Sequence, residues 1–188
     1  MRICVYCSSS AVVDEAYVAA ARELGALIAA RGHSLVFGGC HVGLMGDVAQ
    51  AVKEGGGQVL GVVPRRIADR GLVYADADEI LITETMAERK ALMEEHSDAY
   101  VALPGGFGTL EETLQALTLK QLGYLQGPIV LLNTREFYSD LLAHFGRLYS
   151  ERFARPEYAR LYYVAATPHE AMEYIEGYRD EALPEKWI

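Results

Sequence analysis

Pro104-Gly105-Gly106-Phe107-Gly108-Thr109-Leu110-Glu111-Glu112 is the stretch that decides the fold of this chain. It follows an apolar run at residues 99–103, which predicts a buried strand, and it leads into a helix-period pattern at residues 110–122. Three glycines in four positions let the backbone approach a ligand closely. The amides at the start of the next helix favour an anion such as phosphate. The stretch therefore predicts a strand, an anion-binding loop and a helix in succession.

Short apolar runs alternate with helical patterns along the whole chain. The predicted strands are residues 2–7, 34–37, 58–63, 79–82, 99–103, 129–132 and 162–165, and the predicted helices are residues 15–30, 44–53, 86–95, 110–122, 137–149 and 169–178. This alternation predicts a mostly parallel sheet covered by helices on both faces. We expect a Rossmann-like, doubly wound α/β fold of about seven strands in a single domain spanning residues 1–188.

Composition excludes several classes of partner. The 188 residues are 51% hydrophobic and carry a net charge of −9, as in a well-packed acidic protein. We expect no nucleic-acid partner, because duplex binding requires clustered positive charge. We expect no membrane partner either, since no apolar run approaches the ~20 residues of a membrane helix. Cys4, Cys7 and Cys40 lack zinc-type spacing and are odd in number, which favours a cytoplasmic protein without a metal site.

Two further small-residue loops directly follow predicted strands. One contains Ser8 and Ser9, and the other is the glycine-rich segment at residues 38–46, which includes Gly39 and Gly43. In a parallel sheet these loops would share an edge with the loop at residues 104–112, where open α/β sheets bind ligands. The serine hydroxyls could bind ribose or phosphate. The alternative interpretations are that the serines begin a helix and that the glycines form an ordinary turn.

The polar and charged residues of these motifs also have interpretations that involve no ligand. Thr109 and Glu112 have the spacing of a capping box, in which each side chain satisfies a backbone amide at the start of a helix. Arg89 and Lys90 fall early in the predicted helix 86–95, where a solvated face is the usual location. Lys90 and Glu94 are spaced for an ion pair on that face. The sequence alone leaves these alternatives open.

Three motifs together resemble the LOG family, the cytokinin riboside 5′-monophosphate phosphoribohydrolases, many of which were once labelled possible lysine decarboxylases. Residues 104–112 are similar to the family signature PGGxGTxxE. Residues 86–93 (MAERKALM) resemble its second block, and residues 38–46 resemble its glycine loop ending in GLMG. The motifs occur in the family's order and spacing, and the resemblance covers nearly the whole chain. It implies a Rossmann-like fold and a homodimer.

The resemblance also implies an activity and a set of site residues. Family members release the base from a nucleoside 5′-monophosphate and leave ribose 5-phosphate. We expect no metal or organic cofactor, because carboxylate and arginine side chains can supply the chemistry. Arg89 and Glu112 correspond to the pair regarded as catalytic. The predicted substrate-binding residues are Ser8, Ser9, Gly39, Gly43, Met86, Lys90, Pro104, Gly105, Gly106, Phe107, Gly108, Thr109, Leu110, Glu111 and Thr118. Residues 67–84 depart from the family pattern where relatives carry a further acidic contact, for which Asp69, Glu79 and Glu84 are candidates.

Two other functions remain open from the sequence. A nucleotide or molybdenum-cofactor carrier would use the same loop to bind its ligand without performing chemistry on it. A lysine decarboxylase would need a pyridoxal phosphate Schiff base on a lysine. The four lysines of the chain are Lys53, Lys90, Lys120 and Lys186.

Overall fold

The computed structural model describes residues 1–180 and Pro184. Its strands are β1 (Arg2–Tyr6), β2 (Ser34–Phe37), β3 (Gln58–Pro64), β4 (Glu79–Thr83), β5 (Ala99–Ala102), β6 (Ile129–Leu132) and β7 (Tyr163–Ala165). Its α-helices are α1 (Glu15–Ala30), α2 (Gly43–Glu54), α3 (Arg65–Ala68), α4 (Met86–Glu95), α5 (Phe107–Gln121), α6 (Ser139–Ser150) and α7 (Pro168–Gly177), with 3₁₀ turns at Thr134–Glu136 and Pro156–Leu161. Every predicted strand and helix is present, with bounds that differ by at most three residues. The short α3 and the two 3₁₀ turns were not predicted.

Strand order places the predicted loops side by side. Within the described residues the sheet has seven strands in the order β4-β3-β2-β1-β5-β6-β7, and every pairing between these strands is parallel. The chain builds outward from β1 to β4 and then crosses to the other side of β1 with β5, so the order reverses between β1 and β5. Ligands bind at such a reversal in open α/β sheets. The loops after β2, β1 and β5 are therefore neighbours at the carboxyl edge, which confirms the doubly wound prediction.

Apolar side chains cover both faces of the sheet. Along β1, Ile3 and Val5 belong to a cluster that includes residues of α1, α2 and α7. Cys4 and Tyr6 belong to a second cluster that includes residues of α4, α5 and α6. Successive strand residues point to opposite faces, and both faces are buried here, so the strands are apolar at consecutive positions. No helix in residues 1–180 is both long and apolar enough to cross a membrane.

A capping box fixes the start of α4. The Thr85 hydroxyl accepts a hydrogen bond from the amide of Glu88 at 3.1 Å, and the Glu88 carboxylate accepts one from the amide of Thr85 at 3.3 Å. These two bonds satisfy amides that have no partner within the helix. Because Arg89 directly follows Glu88, the cap also determines the direction in which the Arg89 side chain leaves the helix.

Candidate functional site

The start of α5 leaves backbone amides without hydrogen-bond partners in the helix. Gly106 is the N-cap and provides no side-chain hydrogen bond. The amide of Leu110 donates to the carbonyl of Gly106 at 3.1 Å, so the amides of Phe107, Gly108 and Thr109 have no partner within the helix. A β-carbon on Gly106 or Gly108 would meet no atom within 4 Å, and Phe107 is 93% exposed. The result is an open, positively polarised edge suited to an anion.

The alternative interpretation of Thr109 and Glu112 as a capping box is wrong. Thr109 is the third residue of α5, inside the first turn, because the helix begins at Phe107 and not at residue 110. Its side chain is 3% exposed and occupies the space that a β-carbon on Gly105 would fill. The cap position belongs to Gly106, so the carboxylate of Glu112 is available for a contact outside its own helix.

The loops after β1 and β2 are in direct contact. Gly43 has a φ of +59°, and a β-carbon there would lie 2.8 Å from the carbonyl oxygen of Ser8 and 2.7 Å from that of Ser10. The Ser8 hydroxyl accepts a hydrogen bond from the amide of Ser10 at 3.0 Å, so these serines form a turn. The suggestion that they begin a helix is wrong, because α1 starts at Glu15 with Asp14 as its cap. Gly43 therefore allows the two loops to pack against each other.

Arg89 and Glu112 form a buried ion pair between α4 and α5. Nη1 of Arg89 donates to Oε1 of Glu112, and each residue is 8% exposed. Nε of Arg89 donates to the carbonyl of Val62 in β3 at 3.2 Å. A β-carbon on Gly38, the residue after β2, would clash with Nη2. The solvated-face interpretation of Arg89 is therefore wrong, since two strands and a neighbouring helix enclose its guanidinium.

A second ion pair lies beside the first. Nζ of Lys90 donates to Oε1 of Glu111, which is the more exposed partner. One turn further along both helices, Nε2 of Gln115 donates to Oε1 of Glu94 at 2.6 Å. The predicted pairing of Lys90 with Glu94 on one helix is thus replaced by contacts between helices. Together with the Arg89 pair, these contacts fix the alignment of α4 against α5.

Burial is the main influence on the pKa of Glu112. Loss of solvent raises the pKa of Glu112 above the usual glutamate value, although the positive charge of Arg89 opposes the shift. The neighbouring charge of Glu111 raises the same pKa and that of Lys90 lowers it. Burial also raises the pKa of Cys7, which follows β1, with a further increase from the charge of Glu112. The carboxylate therefore acts electrostatically on the end of β1, close to the reversal in strand order.

The remaining predicted residues differ in their distance from the start of α5. Met86 is the first residue of α4 and is exposed, while Pro104 is buried directly before the glycines. Thr118 lies nine residues beyond Thr109 on α5, which is about 14 Å along the helix axis. Its hydroxyl donates to the carbonyl of Leu114 at 2.8 Å. Thr118 is therefore remote from the amides at the start of α5.

A family model and two named relatives match this chain over most of its length. A family model described as possible lysine decarboxylase matches residues 45–175. A probable cytokinin riboside 5′-monophosphate phosphoribohydrolase of Oryza sativa subsp. japonica is 41% identical, over 97% of this chain and 74% of the relative. A cytokinin riboside 5′-monophosphate phosphoribohydrolase of Arabidopsis thaliana is 39% identical, over 95% of this chain and 78% of the relative. This chain belongs to the LOG family.

Solved structures share the LOG fold of this chain. The Moco carrier protein from Chlamydomonas reinhardtii matches with a TM-score of 0.71 and 27% identity, over 93% of this chain and 94% of that protein. The molybdenum cofactor binding protein from Rippkaea orientalis matches with a TM-score of 0.69 and 24% identity, over 93% of both chains. The second likeness is evidence for the fold alone.

The candidates for a further acidic contact of the LOG site lie in different places. Glu79 begins β4 and is thus at the amino edge of the sheet, away from the loops described above. Glu84 follows β4 at the carboxyl edge, where its carboxylate accepts a hydrogen bond from Nε of Arg65 at 2.8 Å. Asp69 directly follows the short α3 as its C-cap and is exposed. The position of Glu79 at the amino edge excludes it as the further acidic contact, and Glu84 and Asp69 remain candidates.

The three lysines of this LOG chain that the structure describes have structural partners. Lys53 donates to Asp78 at 2.7 Å, and Lys120 donates to the carbonyl of Gly127 at 2.7 Å. Lys90 pairs with Glu111, as described above, and Lys186 lies outside the described residues. Across residues 1–180 and Pro184, no group of three or more His, Cys, Asp or Glu side chains could hold a metal ion.

Sequence reasoning missed two features of the site. The first is the cap at the start of α4, although Thr85 and Glu88 are three residues apart, as in a capping box, and precede an apolar pattern. The second is the contact between Gly38 and Arg89, which joins residues far apart in the chain. No local signal could have revealed that contact, because it depends on how α4 docks on the sheet.

Proposed function

We propose that this chain is a phosphoribohydrolase. It hydrolyses the N-glycosidic bond of adenosine 5′-monophosphate, or of amino-substituted cytokinin-type nucleoside 5′-monophosphates, to free base and ribose 5-phosphate. The observation that carries the proposal is the buried pair of Arg89 and Glu112 beside the open start of α5. Relatives that are about two-fifths identical and named as phosphoribohydrolases support it.

The phosphate binds at the start of α5. The amides of Phe107, Gly108 and Thr109 donate to its oxygens, and the positive end of the helix dipole stabilises its charge. Ser8 or Ser9, from the neighbouring loop after β1, contacts it from the opposite side. Binding the phosphate away from the reacting carbon serves to position that carbon for the chemical step.

The carboxylate of Glu112 acts at the sugar. Cleavage of the N-glycosidic bond builds positive charge on the ribose ring and negative charge on the departing base. An ionised Glu112, one turn along α5 from the phosphate, stabilises that cation and orients the attacking water. The oxygen of water bonds to the anomeric carbon while the bond to the base breaks, and the proton of water passes to the base.

Arg89 interacts with the carboxylate of Glu112 and with negative charge on the substrate. Its positive charge favours the ionised form of Glu112 and so opposes the effect of burial. It also presents a fixed positive charge to the leaving base or the phosphate. Its hydrogen bond to the carbonyl of Val62 holds the guanidinium in place when substrate binds and leaves. Acid–base and electrostatic groups of the chain suffice for this hydrolysis, so the proposed reaction uses no metal or organic cofactor.

The proposal includes a homodimer of single-domain subunits in the cytoplasm. Large apolar side chains are exposed on β4, α4 and α5, and a second copy of the chain would cover them. These side chains are Ile82, Met86, Phe107 and Leu114. Cys4, Cys7 and Cys40 are free thiols, which suits a reducing compartment. Light scattering at several protein concentrations tests the assembly, and a monomeric mass throughout would contradict it.

Product analysis tests the proposed function. Purified protein is incubated with a panel of purine and pyrimidine 5′-monophosphates and with the matching nucleosides, and released base is measured by chromatography. We expect base and ribose 5-phosphate from the purine nucleotides and little release from nucleosides, since these lack the phosphate. Equal release from nucleosides would contradict the phosphate anchor. Tight nucleotide binding without any release of base would instead favour a carrier.

A matched pair of variants tests the role of Glu112. Glu112→Gln keeps the shape of the side chain and should bind nucleotide while losing turnover by about 10²-fold or more. Glu111→Gln removes the adjacent, more exposed carboxylate and should lose much less. Near-normal turnover by Glu112→Gln would remove this carboxylate from the mechanism.

A further inference from the structure

Tyr138 lies outside every motif described above, yet it contacts the start of the glycine-rich loop that follows β5 (residues 104–108). Its side chain is 1% exposed, and its hydroxyl donates to the carbonyl oxygen of Leu103 at 2.7 Å. Leu103 directly precedes Pro104, the first residue of the family signature. Burial raises the pKa of Tyr138, so its hydroxyl remains a protonated donor. The hydroxyl therefore fixes the backbone at the point where the signature loop begins.

Two hydrogen bonds hold the residue that precedes this loop. Gly105 and Gly106 have no side chains with which to pack, and Pro104 has no amide to donate. The amide of Leu103 donates to the carbonyl of Tyr6 in β1 at 2.9 Å. Leu103 is therefore held by β1 through its amide and by Tyr138 through its carbonyl, which sets the position and direction of the glycines that follow.

The segment that carries Tyr138 has a strained backbone. Arg135 and Glu136 have φ values of +54° and +59°, in the left-handed region that residues other than glycine rarely adopt. Such strain persists only where the surrounding contacts determine the conformation. Two contacts of this kind are the hydrogen bond from the amide of Tyr138 to Oδ1 of Asn133 at 2.6 Å and the ion pair of Arg135 with Asp14 at 2.5 Å. These contacts hold the strained turn, and with it the backbone from which the Tyr138 side chain reaches Leu103.

We propose that Tyr138 is a positioning residue for phosphate binding by the glycine-rich loop. The inference rests on the proposed function. Tyr138 directly precedes α6 and acts through Leu103, without touching the substrate. The hydrogen bond to Leu103 holds the amides at the start of α5 in the arrangement that receives the phosphate. Without it the loop samples other positions, and the substrate must restore the binding arrangement when it binds.

Tyr138→Phe and Tyr100→Phe form a matched pair of variants. Tyr100 is 2% exposed, and its hydroxyl donates to the carbonyls of Glu94 at 3.0 Å and Ser97 at 3.3 Å, away from the glycine-rich loop. Each variant removes one buried hydroxyl, so both should lower the melting temperature by similar amounts. Only Tyr138→Phe should raise the KM for nucleoside 5′-monophosphate and the Ki of ribose 5-phosphate, each by about five- to tenfold. Its kcat should change by less than about twofold, since Arg89 and Glu112 are untouched.

Direct binding keeps this test separate from the proposed activity. Calorimetric titration with ribose 5-phosphate measures the phosphate site even if no nucleotide is hydrolysed. A weaker affinity in Tyr138→Phe alone supports the inference. Equal affinities in wild type, Tyr138→Phe and Tyr100→Phe overturn it. If Tyr138→Phe does not fold, Asn133→Ala releases the amide of Tyr138 and should weaken binding in the same direction, and unchanged affinity there would also overturn the inference.

Discussion

Nη2 of Arg89 lies in the space that a side chain on Gly38 would occupy. The guanidinium is therefore backed by the end of β2, while Nε contacts the carbonyl of Val62 in β3 and Nη1 contacts Glu112 on α5. Arginine suits such a position because its planar fork offers donors in several fixed directions. The sheet thus holds the cation of the candidate site with little freedom to move.

Gly38→Ala should displace this guanidinium. The added methyl group clashes with Nη2, so Arg89 shifts and no longer meets Glu112 in the same geometry. We expect turnover of nucleoside 5′-monophosphate to fall on the order of 10²-fold, which is the cost of misplacing a reacting group by about 1 Å. Steady-state kinetics with released base as the readout measures the loss.

Gly177→Ala is the control for that substitution. A β-carbon on Gly177, at the end of α7, would meet no atom within 4 Å. Turnover by this variant should match that of the wild type. Wild-type turnover by Gly38→Ala as well would show that the contact between Gly38 and Arg89 does not position the guanidinium.

The fold could be predicted because its signals are local. Apolar runs separated by helical patterns mark both the strands and the helices, and parallel strands buried on both faces follow from that alternation. Glycine and serine loops after β1, β2 and β5 indicated the binding edge. The predicted start of α5 was wrong. A cap at Thr109, with Glu112 completing a capping box, fits a helix that begins at residue 110, whereas the structure uses Gly106 as the cap and begins the helix at Phe107.

The candidate site could be predicted only in part. Pairing of Arg89 with Glu112 requires α4 to pack against α5, and no periodicity in either helix reveals that contact. Taken alone, the spacing of Lys90 and Glu94 favoured a pair on one helix, yet Lys90 pairs across to Glu111. The family resemblance supplied the two catalytic candidates, whereas the hydrogen bond from Tyr138 to Leu103 came from tertiary structure alone.

The pH dependence of the reaction should report the burial of Glu112. The proposed mechanism needs this carboxylate ionised, so kcat/KM falls as the pH drops through its pKa in the free enzyme. Burial raises that pKa, and the acidic limb of the profile should therefore lie above the value of about 4.3 of an exposed glutamate. A profile of kcat/KM over a range of buffers at constant ionic strength measures the limb.

Glu111→Gln should move the same limb in a defined direction. The negative charge of Glu111 raises the pKa of Glu112, so removing that charge lowers the pKa and shifts the limb to lower pH. The shift should be small, because the side chain of Glu111 is more than half exposed and solvent screens its charge. A limb that moves to higher pH would contradict the assignment of the limb to Glu112.

The three thiols should be inert in the folded protein. Cys4, Cys7 and Cys40 are free and buried, and burial raises the pKa of each thiol, which suppresses the nucleophilic thiolate. A chromogenic disulfide reagent at pH 8 should titrate no thiol within minutes in native protein and all three in guanidinium. Rapid reaction of a thiol in the native protein would contradict the observed burial, and Cys40→Ser would then show whether Cys40 is responsible.

Gly108→Ala should separate stability from substrate binding. A β-carbon on Gly108 would meet no protein atom within 4 Å, and the residue lies in the first turn of α5 without a positive φ. Alanine restricts the unfolded chain, so the melting temperature should stay the same or rise by about 1–3 °C. The added methyl group stands where the phosphate approaches the amides, so KM should rise by about tenfold or more. Gly146→Ala, at an open position on α6, should gain similar stability without a change in KM, and an unchanged KM in Gly108→Ala would place the phosphate elsewhere.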